Sequence, residues 1–243
     1  MSGHSKWSTI KRKKGALDQK RGKLFSSVGR EITISARLLG GDIEANARLR
    51  QAVKKAKSIN MPSANIEKAI KKGTGDLDNV TYEEASYEGY GPNGIAIFID
   101  AITDNKNRTV ADVRHVLSKF GGSLGQSGSV AWNFDRMGII LIEESAVDED
   151  KLFNLSIQND AKDFKREDGY YKLFFDHDIV YEKIELIEKI PIEIDSSFIA
   201  LIPKDSIKVS KDKGEKVEKL IDALDDLDDI QDVYSNYKIE ELS

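Results

Sequence analysis

Cysteine is absent from this 243-residue chain. Disulfides, thiolate metal sites and thiol nucleophiles are therefore excluded, which fits a reducing compartment. Long apolar runs are missing too. Runs such as residues 95–99 and 138–142 are strand-sized, against the roughly 20 residues a membrane span needs. The N-terminal segment is polar and cationic without an apolar stretch, so no secretory signal is expected and the protein reads as cytoplasmic. Histidine is scarce: His4, His115 and His177 fall in separate segments with no metal-ligand spacing. His115 sits in an amphipathic pattern and reads as a structural residue, while Asp176-His177-Asp178 reads as a turn and helix cap.

Other signatures of chemistry are incomplete. Gly122, Gly125 and Gly128 resemble a phosphate loop in spacing, yet the Gly-Lys-Ser/Thr ending is missing and the segment leads into a strand pattern. Asp225, Asp226, Asp228 and Asp229 lack the central glycine and the twelfth-position glutamate of a calcium loop, so they are expected to stay in water. No nucleophile–base pair stands out. The chain is therefore not expected to be an enzyme or to carry a metal or cofactor.

Charge is abundant and unevenly placed. Hydrophobic residues make up 40% and charged residues 33%, enough to bury real cores, and the length suggests two or three domains. The formal net charge is −5, but residues 1–73 hold 18 Lys+Arg against 5 Asp+Glu, a net of +13. The remainder carries 19 against 37, a net of −18. Such asymmetry points to a polyanionic partner for the basic third, with the acidic part keeping the protein soluble. A second possibility is that the basic region docks on the acidic part of its own chain.

Periodicity gives a coarse architecture. Leu24, Phe25, Val28, Ile32, Ala36 and Leu39 follow helical spacing over 17–39. Gly40-Gly41 ends that helix, Asp42 is placed to cap the next, and Ala45, Leu49, Ala52, Ala56 and Ile59 mark its apolar face. Pro62 opens a third helix ending at Lys71-Lys72-Gly73. Beyond it the period shortens: residues 82–90 and 95–101 read as a hairpin, 107–120 as a helix capped by Asn107, and 130–134 and 138–143 as strands around a turn. Helix, strand, helix and strand follow near 148–162, 170–175, 178–189 and 192–202, then a helix at 213–227 and a strand at 230–236. Strands mixed with covering helices indicate α+β layers.

The candidate ligand-binding residues follow the charge. Lys11-Arg12-Lys13-Lys14 and Lys20, Arg21 and Lys23 form a phosphate footprint, with Lys6 beside Trp7, an aromatic able to stack on a base. His4 precedes them, and Arg48, Lys54, Lys55, Lys71 and Lys72 extend the basic character along the helices. Asn105, Lys106 and Arg108 sit between a strand and a helix start and form a secondary anion contact.

Several motifs resemble those of the YebC family, in order along nearly the whole chain: Gly3-His4-Ser5-Lys6-Trp7, Asn60-Met61-Pro62, Tyr87-Glu88-Gly89-Tyr90-Gly91-Pro92, the segment Thr103 to Thr109, Gly128-Ser129-Val130-Ala131-Trp132 and Leu220-Ile221-Asp222-Ala223-Leu224. The resemblance implies an α+β multidomain fold: an N-terminal three-helix domain at 1–73, a discontinuous α+β domain at 74–136 plus 200–243, and a third α+β domain inserted at 137–199. It also implies a DNA-binding transcriptional regulator or, as in the related mitochondrial translational activator of cytochrome c oxidase, a translation factor on ribosomal RNA. The partners expected are nucleic acid and the ribosome, with no membrane and a monomeric state. A protein-interaction adaptor without nucleic-acid contact is the reading from a different class.

Overall fold

The structure, a computed structural model, describes residues 21–75 and 81–240. The chain divides into two compact units: Asp135–Ile202 forms one, and the described residues before and after it form the other.

Among the described residues the larger unit opens with three helices, α1 (Arg21–Leu39), α2 (Ala47–Ser58) and α3 (Ser63–Thr74). Their apolar stripes meet in one core, where Val28, Ile32 and Ala36 of α1 pack with Leu49, Ala52, Val53 and Ala56 of α2 and Ile66 of α3. Asn46, not Asp42, caps α2: its side chain accepts from Leu49 N at 3.0 Å and donates to the carbonyls of Ser35 and Gly40. Asp42 instead folds back on Glu44 N at 2.9 Å, an Asx turn one step too early to start the helix. Helix α3 also outruns its expected end. Gly73 lies inside it because the backbone of α1 passes so close that a Cβ there would sit 2.4 Å from Thr33 O; the left-handed stop falls at Gly75.

The same unit continues with β1 (Glu83–Tyr90), β2 (Ala96–Thr103), α4 (Lys106–Lys119) and β3 (Ser123–Leu124). After the second unit come β8 (Ile207–Val209), α7 (Lys211–Asp225), β9 (Ile230–Ser235) and β10 (Tyr237–Ile239). One antiparallel sheet runs in the order β3-β1-β2-β9, and β8 pairs β10 in parallel. Ile95, Ile97 and Ile99 alternate onto one face, as period 2 demands, and pack with Val113 and Leu117 of α4 and Val217, Leu220, Ile221 and Leu224 of α7.

The second unit has the sheet order β5-β6-β4-β7, built from β4 (Phe134–Glu143), β5 (Asp163–Glu167), β6 (Tyr170–Asp176) and β7 (Ser196–Pro203). Helices α5 (Glu149–Gln158) and α6 (Val180–Glu188) cover it, with Leu152, Val180, Ile184 and Ile187 on Ile140, Ile142, Leu173 and Phe175. The two strands expected at 130–134 and 138–143 are corrected to one. Residues 131–133 form a 3-10 turn and β4 runs unbroken through Gly138, where Val180 packs so closely that a Cβ would lie 2.2 Å away. With a helical region and antiparallel sheets covered by helices, the fold class is α+β. Among the described residues no helix is long and apolar enough to cross a membrane.

Candidate nucleic-acid interface

Among the described side chains, the arginines of the basic helices, Arg30, Arg37, Arg48 and Arg50, are held by the chain itself. Arg48 of α2 meets Glu31 of α1 at 2.8 Å and Glu84 of β1 at 2.6 Å. Burial alone would lower its pKa, but the two carboxylates outweigh that and raise it, so the guanidinium stays charged. Arg37 donates to Tyr82 O at 2.8 Å, and Arg50 to the carbonyls of Ile43 and Glu44. Arg30 donates to the Asp228 carbonyl and lies 3.2 Å from the Asp229 carboxylate. Planar forks suit such multi-point contacts, which is the physical reason to find arginine here.

Asp229 is the centre of this junction. Only 4% exposed, it accepts from Arg108 at 2.7 Å, Thr109 at 2.7 Å and Thr103 at 3.0 Å. Burial by itself would push the carboxyl up; the hydrogen bonds from Arg108, Thr109 and Thr103 and the charge of Arg30 overcome it and hold the group below the usual carboxylate range. The expectation that this acidic cluster stays in water is corrected at Asp225 and Asp229, both buried. A cavity of about 570 Å³ opens beside the junction. Asp104, Asp112, Asp226 and Asp228 line it along with Arg30 and Arg108. So many carboxylates make it a poor receptor for phosphate.

The strand-to-helix turn is likewise engaged. Asn105, rather than Asn107, caps α4, accepting from Arg108 N at 3.1 Å. Lys106 pairs with Glu83 at 2.6 Å, and Arg108 bridges Asp104 and Asp229 while staying half exposed. The hydrogen bond to Asp229 is the largest influence raising the Arg108 pKa.

Lysines behave differently. Lys54, Lys55, Lys57, Lys68 and Lys71 are exposed on α2 and α3. Lys72 turns inward, with its ammonium 4.5 Å from the Tyr82 ring centroid. Of these, Lys57 and Lys68 carry no sequence signal that singles them out; lysine on a polar helix face is too common to flag on its own. His4, Lys6, Trp7, Lys11, Arg12, Lys13, Lys14 and Lys20 lie outside the described residues, as does the side chain of Arg21. Lys23 is half-buried on α1. His115, expected to be structural, is exposed on α4; the His177 turn holds through Ile179 N to Asp176 O at 3.2 Å, with His177 itself 2.8 Å from Asp178, but the expected cap is corrected, because α6 is entered at Ile179 with no side-chain cap hydrogen bond.

With this geometry in place, likeness to known proteins is informative. Residues 5–76 match the TACO1/YebC protein N-terminal domain, and residues 82–237 match the TACO1/YebC second and third domain. A probable transcriptional regulatory protein of Syntrophus aciditrophicus is 46% identical over 242 residues, covering 99% of this chain and 97% of that protein. Another of the same description, from Natranaerobius thermophilus, is 47% identical over 244 residues, with 99% and 98% covered. Among solved structures, a conserved hypothetical protein from Aquifex aeolicus superposes with a TM-score of 0.84 at 41% identity, over 93% of each chain.

Proposed function

The chain belongs to the TACO1/YebC family, and from that premise we propose that it regulates gene expression by gripping nucleic-acid phosphates with its basic N-terminal third. The carrying observation is the division of labour among cations. The net charge of residues 1–73 is +13, the described arginines of α1 and α2 bond to the chain, and exposed lysines line α2 and α3. Lysine is a hydrated point charge suited to phosphate, and the arm at Lys11–Lys14 adds to it. Relatives named as probable transcriptional regulatory proteins favour DNA as the ligand and transcription as the process.

A second reading, ribosomal RNA and control of translation, draws on one specific observation. A helix that reads the major groove presents arginine, asparagine or glutamine forks to base edges, whereas the described arginines of α1 and α2 are engaged within the protein. Phosphate contacts without such forks suit shape recognition. In either case residues 1–73 act as the gripping domain. The α+β domains, 74–136 plus 200–243 and the inserted 137–199, present a partner surface, in a cytoplasmic monomer that is not an enzyme.

Binding titrations across salt concentrations test the grip. If about six cations displace counterions, affinity falls with a log–log slope near −5. A slope near zero, or no binding in dilute buffer, would leave the adaptor reading in its place. Charge reversal at Lys11, Arg12, Lys13 and Lys14 together should weaken binding without unfolding the core. Crosslinking in cells then separates the ligands: promoter DNA supports transcription, ribosomal RNA supports translation.

A further inference from the structure

One feature of the sheet domain is left unused by phosphate gripping. Trp132 is 66% exposed, the largest exposure of any aromatic among the described residues, although tryptophan is ordinarily a well-buried residue. It does not dangle. Its indole N–H donates to Ser129 O at 3.0 Å, and the Tyr90 hydroxyl donates to the same oxygen, also at 3.0 Å. The loop beneath is held from inside by Glu88, a 6% exposed carboxylate that accepts from the backbone N–H groups of Gly128, Val130 and Ala131 at 2.7, 2.7 and 2.8 Å.

We infer that Trp132, with Tyr90 beside it, is a stacking site for an unpaired nucleobase. Three observations select that ligand. Both polar tips are satisfied within the protein, so what the pair offers outward is π surface, and base stacking on such a surface is sequence-tolerant. The stretch 120–134 carries no charged residue in a chain one-third charged, while Gln126 and Ser127 are exposed in the same loop and supply neutral donors and acceptors suited to a base edge. Beside Tyr90 the edge of β1 is already taken by β3, which pairs Gly89 and Tyr90 and is itself only two residues long, so an extended peptide finds little to pair with there. Rigidity matters as well. A ring fixed before binding loses little entropy when it stacks.

This site rests on the nucleic-acid reading and deepens it, so the experiment must separate the two. Trp7 is replaced by Leu, which removes the N-terminal stacking aromatic and leaves Trp132 as the sole tryptophan, and its fluorescence is followed on titration with single-stranded oligonucleotides, ribo and deoxyribo. Each is compared with an abasic strand carrying the same number of phosphates. The expected result is quenching by base-bearing strands and about tenfold tighter binding than to abasic strands, in keeping with one base stack. Trp132→Ala should abolish that preference and Trp132→Phe should retain most of it. Equal affinity for the two strands, or a Trp132→Ala loss shared equally by both, overturns the stacking site while leaving the phosphate grip intact. If neither strand binds, both readings fall. Quenching by a proline-rich peptide alone, a ligand that aromatic surfaces also take, assigns the site to protein and overturns the inference.

Discussion

The face of the helical region that meets residues 82–84 and 229 and the face that meets solvent carry the same sign of charge and use it in opposite ways. Inward, Arg30, Arg37, Arg48 and Lys72 hold the helices to Asp229, Tyr82 and Glu84. Outward, Lys57, Lys68 and Lys71 are exposed, with no ion pair among the described residues. A surplus of positive charge is therefore not one property. Part of it is structural, made of arginine contacts to carboxylates and carbonyls of the chain, and part is solvated lysine available to a polyanion. Only the second part should respond to salt as a phosphate contact does.

Asp229→Ala is the strongest way to break the inner face. It removes a buried acceptor while leaving Arg30 in place, a loss of about 4 kcal/mol by analogy with other severed buried pairs. The denaturant midpoint should fall with little change in slope. The pH dependence sharpens the point. Because the folded carboxyl ionises below its unfolded counterpart, it stabilises fully above about pH 4 and that contribution is lost as pH falls through the folded value. The variant's stability should thus decline less steeply in acid than that of the parent. An unchanged acid profile would place the stabilisation elsewhere.

Reversing Lys57, Lys68 and Lys71 together to Glu probes the outer face. Nucleic-acid affinity should drop about a hundredfold at low salt and the magnitude of the salt slope should shrink by about 3, since each phosphate contact contributes close to one unit. Stability should stay within about 0.5 kcal/mol, the usual range for exposed positions. A large stability loss with binding intact would invert the division between the two faces.

Gly73→Ala has a smaller effect and tests how tightly the inner helices seat. Alanine in a helix ordinarily gains about 1 kcal/mol over glycine. Here the added carbon would meet Thr33 O at 2.4 Å and Ala36 Cβ at 2.8 Å, and backbone cannot swing aside as a side-chain tip does. Overpacking of about 1–3 kcal/mol should win, for a net loss of about 1 kcal/mol. Gly29→Ala in α1 is the control: nothing lies within 4 Å, so it should gain stability. If both variants gain, the α1–α3 crossing has slack.

How much of this was legible in the sequence depended on distance along the chain. The stripe Val28, Ile32, Ala36 and the alternation Ile95, Ile97, Ile99 are local patterns, and both form cores as read. Asp229 could not be read, because its partners Arg108 and Thr103 are 121 and 126 positions away and nothing local distinguishes it from Asp226 or Asp228. The strand expected at 130–134 failed for a similar reason. Val130 and aromatic neighbours suggest a strand, but the Val130 and Ala131 amides are bound by Glu88, some 40 residues earlier, and cannot also join a ladder. At the strand-to-helix turn the right residue types were visible, yet Asn105 and Asn107 are equally good caps by type and only the fold chooses between them.

The Lys106–Glu83 pair supplies the limiting case for the comparison. Its 2.6 Å separation equals that of Arg48 and Glu84, so distance alone would rank the two alike. Both Lys106 and Glu83 are more than half exposed, however, whereas Arg48 is only a quarter exposed and held by two carboxylates. In water the attraction is screened and the long side chains lose freedom on pairing. Lys106→Ala should therefore leave the unfolding midpoint where it is, and Arg48→Ala should lower it. A double-mutant cycle with the matching glutamates isolates each pair, and coupling at Lys106 as strong as at Arg48 would mean that proximity, not burial, decides which cations hold this protein together.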